Sequence, residues 1–223
     1  MKKLNDWIIV LSLSTLLILR ILYVLRCTGK PLRRSSQQAL KTLIVLGSGG
    51  HTAEMLNLVA VLHRDSFYPR CYVAAATDNM SLQKARVLEE SYSYETNVGK
   101  MVEAAQFMQI YRSREVGQSY FTSIGTTIFA MLHALWMTFI IRPDMVLCNG
   151  PGTCIPICVA AFLFKVVGIR WMSIVYVESI ARVRKLSLSG LLLYKFHLAD
   201  QFFVQWPQLQ KSYSKAHYVG CLM

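Results

Sequence analysis

The sequence contains few acidic residues. It has 12 Asp plus Glu against 24 Lys plus Arg, which gives a formal net charge of +12 at pH 7. This surplus favours an anionic partner, and a lipid headgroup layer, a diphosphate and a nucleic acid all carry the required charge. Charged residues are only 16% of the chain and 54% are hydrophobic, so the composition excludes a disordered chain and predicts a packed core.

The cysteines form no CxxC pair and show no regular spacing, and most of them stand inside apolar runs. That pattern favours reduced, buried thiols in a domain that faces the cytosol over a disulfide framework or a metal site. The residues are Cys27, Cys71, Cys148, Cys154, Cys158 and Cys221.

An apolar segment runs from Trp7 to Leu25 near the amino terminus. As a helix its 19 residues would span about 28 Å, close to the thickness of a bilayer core. Arg20 stands near its carboxyl end, where we expect the side chain to reach the lipid headgroups. More basic residues follow the segment than precede it, so the rest of the chain is expected in the cytosol. We therefore predict a membrane anchor over 1–26 and a basic linker over 27–40.

From residue 41 onward, short apolar runs alternate with helical patterns. This alternation predicts an α/β fold, a single Rossmann-like doubly wound parallel sheet over 41–223. The apolar segments 121–141 and 154–168 are predicted as helices on the sheet or on the membrane surface, because a second crossing would split the sheet. Residues 91–120 lack a clear period and are predicted as a long connection with room for a further strand or helix.

The first predicted strand ends in a glycine turn, GSGGHT. Glycine lets the backbone approach a ligand, and the amides at the start of the next helix favour an anion such as phosphate. A turn that only packs helix on sheet is one alternative, and a dinucleotide site is another. The spacing is GxGxxT, without the third glycine of the dinucleotide fingerprint. The candidate residues are Gly47, Ser48, Gly49, Gly50, His51 and Thr52.

A second glycine turn, NGPGT at 149–153, follows the apolar run MVLC. Asn149 offers an amide able to orient a hydroxyl or a phosphate, and Gly150 and Gly152 leave the backbone bare. Two such turns at strand ends of one sheet favour a ligand over packing alone.

Glu178 ends the apolar run VYV. One interpretation makes it a helix cap or an ion-pair partner of Arg182 or Arg184. The other makes it a carboxylate that orients or deprotonates a sugar hydroxyl. The sequence leaves both open.

A set of segments resembles a known family: LGSGGHTAEM, SREVGQS, RPDMVLCNGPGTCIPIC, VYVES, LSLSGLLLY, FVQWP and YVG. In the same order, over about residues 41 to 220, they are similar to the membrane-anchored subunit of a eukaryotic glycosyltransferase. That enzyme adds the second N-acetylglucosamine to the dolichyl-diphosphate-linked sugar on the cytosolic face of the endoplasmic reticulum. GSGGH also resembles, more distantly, the GGTGGH turn of the bacterial transferase that makes lipid II. Residues 92–110 match no family pattern.

The resemblance implies the amino-terminal, acceptor-side half of a GT-B glycosyltransferase, with one transmembrane helix in the endoplasmic reticulum membrane. No DxD motif is present, and neither a metal nor another cofactor is expected. After Pro207 only 16 residues remain, so UDP-N-acetylglucosamine is expected to bind to a small cytosolic catalytic subunit, and this chain is expected to be inactive alone. The family suggests that the tail docks this partner through Tyr218, Val219, Leu222 and Met223.

The resemblance also implies residue roles. His51 or Glu178 would take the proton of the acceptor 4-hydroxyl in an inverting displacement, with Glu178 slightly preferred, although a structural histidine fits the turn equally well. The acceptor diphosphate would be held by the two glycine turns and two arginines: Gly47, Ser48, Gly49, Gly50, His51, Thr52, Asn149, Gly150, Gly152, Arg182 and Arg184.

Three alternatives remain open. A membrane-tethered dinucleotide oxidoreductase would need a third glycine and an acidic residue after the second strand, and Asp78 meets only the second need. A pure scaffold would only recruit the partner. Nucleic-acid binding is the weakest alternative, because the basic residues cluster after the apolar segment and no known motif surrounds them.

Overall fold

A parallel sheet organises the chain in the computed structural model, which describes residues 2–29, 39–95, 105–113, 119–150 and 152–221. Within these residues the sheet has seven strands in the order β3-β2-β1-β4-β5-β6-β7, and every neighbouring pair is parallel. The prediction of a single doubly wound parallel sheet is therefore confirmed. The strands are β1 Thr42–Val45, β2 Arg70–Ala75, β3 Gln106–Ile110, β4 Met145–Asn149, β5 Ser173–Val177, β6 Gln201–Val204 and β7 His217–Tyr218.

Helices cover both faces of the sheet. The helices in the described residues are α1 Lys2–Cys27, α2 Gly50–Val61, α3 Ser81–Glu95, α4 Tyr120–Ile141, α5 Cys154–Val167, α6 Leu188–Lys195 and α7 Pro207–Ser212. Most of α1 is exposed and does not cover the sheet. Successive strand residues point to opposite faces. Val45 therefore belongs to the core beneath α4 and α5, and Ile44 belongs to the core beneath α2 and α3. Cover on both faces explains the apolar runs LIV in β1 and MVLC in β4.

Two strands were not resolved by sequence reasoning. β3 lies within the predicted long connection and pairs with β2 at one edge of the sheet. β7 follows the segment DQFFVQWP and pairs with β6 at the other edge. Both are short edge strands with exposed residues, so neither has the long buried run that identifies a central strand.

The carboxyl end of α1 packs against α5, and Arg20 is part of that contact. Its Nε donates to the carbonyl of Val166 and its Nη2 to that of Lys165, both at 3.1 Å. The last carbonyls of a helix lack partners within it, so Arg20 caps α5. Our expectation that Arg20 reaches the headgroups is therefore wrong: the side chain faces the domain.

α4 lies on the sheet as the connection between β3 and β4. Its Ala134 and Met137 are buried in the core, whereas Leu132 and Trp136 are exposed. Within the described residues, two helical segments are long and apolar enough to cross a membrane, Asn5–Cys27 and Thr122–Ile141. Because the second of them joins two parallel strands of one sheet, β3 and β4, it fits the predicted sheet-covering helix rather than a second crossing. Residues 30–38 of the predicted linker lie outside the described residues.

α5 also lies on the sheet, and Lys165 points into the core instead of towards a membrane face. The Lys165 side chain is fully buried and forms an ion pair with Asp200, which also accepts from the Ile174 amide at 2.7 Å. Burial lowers the pKa of Lys165, while the nearby Asp200 carboxylate opposes that effect.

Candidate functional site

A cavity of about 250 Å³ lies at the carboxyl ends of β1 and its neighbours. The chain runs from β1 outward to β2 and β3 and then returns to the other side of β1 at β4. The cavity therefore occupies the switch point where open α/β sheets bind ligands. Four predicted ligand residues line it: Gly47, Ser48, His51 and Gly152. The remaining lining residues are Leu46, Ala75, Arg112, Ser113 and Thr153.

Two helix amino termini converge on this cavity, those of α2 and α5. The first amides of a helix have no partner within it and carry a partial positive charge, so each terminus favours an anion. Thr153 precedes α5 and is largely buried, yet its hydroxyl has no hydrogen-bond partner among the described residues. It stands at the N-cap position of α5, but its side chain makes no capping bond. Thr153 lines the cavity, so this buried hydroxyl lies beside it.

Arg112 supplies the positive charge in the cavity wall. It lies two residues after the end of β3, in the stretch where sequence reasoning found no clear period. An arginine after an edge strand has no distinctive sequence pattern. Its place in the cavity wall follows from the pairing of β3 with β2, which the sequence does not indicate. Residues 114–118, which belong to the family-like segment SREVGQS, lie outside the described residues.

Thr52 holds the first glycine turn in shape and does not line the cavity. Its hydroxyl bonds to the Gly47 carbonyl and lies 2.6 Å from Ser81 Oγ. Asp78 accepts from the Ser81 amide at 3.1 Å. The carboxylate of Asp78 is thus occupied at the start of α3, where an N-cap residue commonly stands.

His51 lies between the two glycine turns. Its Nδ1 is 3.0 Å from Asn149 Oδ1. The imidazole also lies directly against Gly150, where an added Cβ would approach Cε1 to 2.6 Å. Gly150 has a φ of +69°, so both its conformation and the nearby ring favour glycine. The predicted association of GSGGHT with NGPGT is therefore visible as a direct contact.

Glu54 stands one helical turn after His51 and connects α2 to the ends of β4, β5 and β6. Its carboxylate accepts from Asn149 Nδ2 at 3.0 Å and from Ser179 Oγ at 2.7 Å. It also accepts from the Ile180 amide at 3.2 Å. The sequence pattern HTAE places His51 and Glu54 on one helix face, a signal that sequence reasoning did not use.

Glu178 is fully buried at the end of β5 and does not line the cavity. Its carboxylate accepts from the amides of Ser187 at 3.0 Å and Ser179 at 3.2 Å. Gly190, in α6, lies so close that a Cβ there would collide with Glu178 Oε2. Burial raises the pKa of Glu178, and the hydrogen bonds from Ser187 and Ser179 oppose that rise. The geometry matches the helix-cap interpretation of Glu178.

The other predicted residues lie around the cavity rather than in its wall. Gly49 and Gly50 are exposed at the start of α2, and Arg182 and Arg184 are exposed in the loop after β5. In the tail, Tyr218 ends the edge strand β7 and Val219 follows it, with 46% and 44% of their surface accessible. Leu222, Met223 and Pro151 lie outside the described residues.

The parallel sheet and the glycine-lined cavity at its switch point define a Rossmann-like domain of the kind that forms one half of the GT-B fold. The crystal structure of Acinetobacter baumannii MurG, which has the GT-B fold, aligns with a TM-score of 0.52 and 16% sequence identity. That alignment covers 76% of this chain and 42% of MurG. At this level of identity the likeness concerns the fold alone.

The family model described as "Oligosaccharide biosynthesis protein Alg14 like" matches residues 42–222. The rat protein named UDP-N-acetylglucosamine transferase subunit ALG14 is 47% identical over 94% of this chain and 93% of its own length. The human subunit of the same name is 45% identical over the same shares, and that of Yarrowia lipolytica is 40% identical over 95% of each chain. The chain therefore belongs to the Alg14 family, and the resemblance drawn from its motifs is confirmed.

Proposed function

We propose that this chain is the membrane-bound, acceptor-binding subunit of a heteromeric N-acetylglucosaminyltransferase. The enzyme would transfer N-acetylglucosamine from UDP-N-acetylglucosamine to a dolichyl-diphosphate-linked N-acetylglucosamine. The observation that carries this proposal is the cavity at the switch point, where two helix termini, Thr153 and Arg112 surround His51. Membership of the Alg14 family supports the assignment.

The acceptor diphosphate would bind at the amino termini of α2 and α5. The amides of Gly49, Gly50 and His51 would contact one phosphate, and the α5 terminus with the Thr153 hydroxyl would contact the other. Arg112 would neutralise part of the diphosphate charge. Arg182 and Arg184 are exposed outside the cavity wall, so we prefer Arg112 to them as the diphosphate ligand.

His51 would serve as the general base. The 4-hydroxyl oxygen of the acceptor sugar attacks the anomeric carbon of UDP-N-acetylglucosamine, the bond from that carbon to the diphosphate breaks, and UDP leaves with inversion. The hydroxyl proton passes to His51, which lines the cavity. Glu178 is surrounded by donors inside the domain, so the geometry favours His51 over it as the base.

The donor sugar nucleotide would bind to a separate small cytosolic subunit. The exposed edge strand β7 with Tyr218 and Val219 is the proposed docking site for that subunit. The segment Asn5–Cys27 would anchor the chain in the endoplasmic reticulum membrane, with the α/β domain on the cytosolic face.

Co-expression of the full chain with the candidate donor-binding subunit tests the assignment. Membranes that contain both chains should transfer labelled N-acetylglucosamine to a polyprenyl-diphosphate N-acetylglucosamine acceptor, while either chain alone should not. His51→Ala should lower the rate by a factor of about 100 or more. His63→Ala is the matched control, since His63 is exposed beyond the far end of α2. No transfer by the pair, or full activity of His51→Ala, would contradict the proposal.

A further inference from the structure

We infer that Glu54 is a positioning residue that fixes the tautomer of His51 through the side-chain amide of Asn149. The inference deepens the proposed function and rests on the role of His51 as the base. It starts from a chain of contacts: Glu54 Oε2 lies 3.0 Å from Asn149 Nδ2, and Asn149 Oδ1 lies 3.0 Å from His51 Nδ1.

The Ile180 amide determines which atoms donate and which accept in this series of hydrogen bonds. A backbone N–H can only donate, and it lies 3.2 Å from Glu54 Oε2. Oε2 therefore acts as an acceptor. A second acceptor 3.0 Å away would be repelled, so the Asn149 atom that faces Glu54 must be its NH₂ group.

The orientation of Asn149 then sets the protonation of His51. With its nitrogen directed to Glu54, Asn149 presents its carbonyl oxygen to His51 Nδ1. An amide oxygen only accepts, so Nδ1 carries the hydrogen. In neutral imidazole the other nitrogen, Nε2, is then the unprotonated one. Nε2 has no hydrogen-bond partner in the part of the chain that the structure describes, and it is the nitrogen able to accept the proton of the acceptor hydroxyl.

Burial makes this arrangement persistent. Glu54 is 6% exposed and Asn149 is 2% exposed, so water does not compete readily for their contacts. Glu54 is also held independently by Ser179 Oγ at 2.7 Å. If Glu54 did not accept from Nδ2, Asn149 could turn its amide over, place NH₂ against Nδ1 and favour the tautomer with hydrogen on Nε2. That tautomer cannot act as a base at the cavity.

Substitutions at position 54 distinguish this role from a general loss of structure. Glu54→Leu removes the acceptor and should lower kcat about 30-fold with little change in the KM of the acceptor lipid, because a misdirected base affects proton transfer more than binding. Glu54→Gln keeps an oxygen for Asn149 and Ile180, with its NH₂ directed to Ser179 Oγ, and should restore kcat to within about threefold of the wild-type value. All variants are assayed as the co-expressed complex in membranes.

Two comparisons complete the kinetic test. Ser179→Ala removes a different bond to Glu54 and leaves Asn149 in place, so its kcat should match that of the wild type. Asn149→Ala should reduce kcat as Glu54→Leu does, and the double variant should lose little more, since both residues act through one chain of contacts. Equal losses in Ser179→Ala and Glu54→Leu, or additive losses in the double variant, would overturn the inference.

The tautomer can also be read without any variant at position 54. In the complex labelled with ¹⁵N-histidine, the His51 resonances are assigned by their disappearance in His51→Ala. Neutral His51 should show a protonated Nδ1 and an unprotonated Nε2. The opposite tautomer would reject the role of Glu54, whereas full activity of His51→Ala would reject the proposed function itself.

Discussion

The imidazole of His51 lies against the backbone of Gly150, so closely that a Cβ on residue 150 would stand 2.6 Å from ring atom Cε1. This contact joins the start of α2 to the end of β4. Because the two glycine turns meet in this way, the residue in one turn restricts which side chains fit in the other.

Gly150→Ala is expected to displace His51 and to lower the transfer rate about 100-fold, since small misplacements of a catalytic group have effects of that order. The left-handed φ should in addition cost about 1–2 kcal/mol of stability. Gly168→Ala is the matched control, because Gly168 also has a positive φ, at +83°, but does not touch His51. Kinetics and thermal unfolding of both variants check the prediction, and equal rates in the two would contradict it.

Arg112→Ala is expected to raise the KM of the lipid diphosphate acceptor about tenfold, the loss expected for one charge-assisted hydrogen bond. Arg184→Ala should have a smaller effect, because Arg184 is exposed and outside the cavity wall. Arg86→Ala, on the exposed face of α3 with its guanidinium over Phe107, controls for loss of net charge. Acceptor titrations measure the KM of all three variants. A larger increase for Arg184→Ala than for Arg112→Ala would contradict the prediction and indicate that the diphosphate binds at the loop after β5.

Glu178 should make stability depend on pH. Burial raises its pKa in the folded chain, so the folded state holds this proton more tightly than the unfolded state does. The contribution of Glu178 to stability is therefore fully present below its unfolded pKa and is lost as the pH rises through its folded pKa. Glu178→Gln should remove that contribution. Unfolding of the detergent-solubilised chain between acidic and neutral pH measures the slope, and identical slopes in both proteins would show that the prediction is wrong.

The buried Lys165–Asp200 pair is expected to be costly to break. Lys165→Met leaves Asp200 buried without its partner and should lower the free energy of unfolding by about 3 kcal/mol. Adding Asp200→Asn should recover much of this loss, because asparagine keeps an oxygen for the Ile174 amide without the charge. Arg170→Met breaks a partly exposed pair with Asp144 and should cost less than about 1 kcal/mol. Denaturant unfolding compares the variants, and equal losses for Lys165→Met and Arg170→Met would refute the prediction.

Much of the fold follows from local pattern. β1 and β4 are predictable because a strand buried on both faces must be apolar throughout, and the glycine turns after them are visible in the letters. β3 and β7 are not predictable in this way, since they are edge strands without a continuous buried apolar run. Arg20 illustrates a second limit: its position near a helix end suggests headgroup contact, but the carbonyls that it caps belong to a helix more than a hundred residues away.

By itself the sequence determined the class of fold, the family and the pair of glycine turns, because these depend on periodicity and on short contiguous motifs. Only the tertiary structure decided which polar residues share a site. His51, Asn149 and Glu54 come together because the carboxyl ends of the parallel strands lie on one side of the sheet. The helix α2, which carries His51 and Glu54, begins there beside the end of β4. Glu178 ends a neighbouring strand, yet its carboxylate is directed to the start of α6. The direction of a side chain at a strand end depends on the helices packed beside it. The residues next to it in the sequence do not determine that direction.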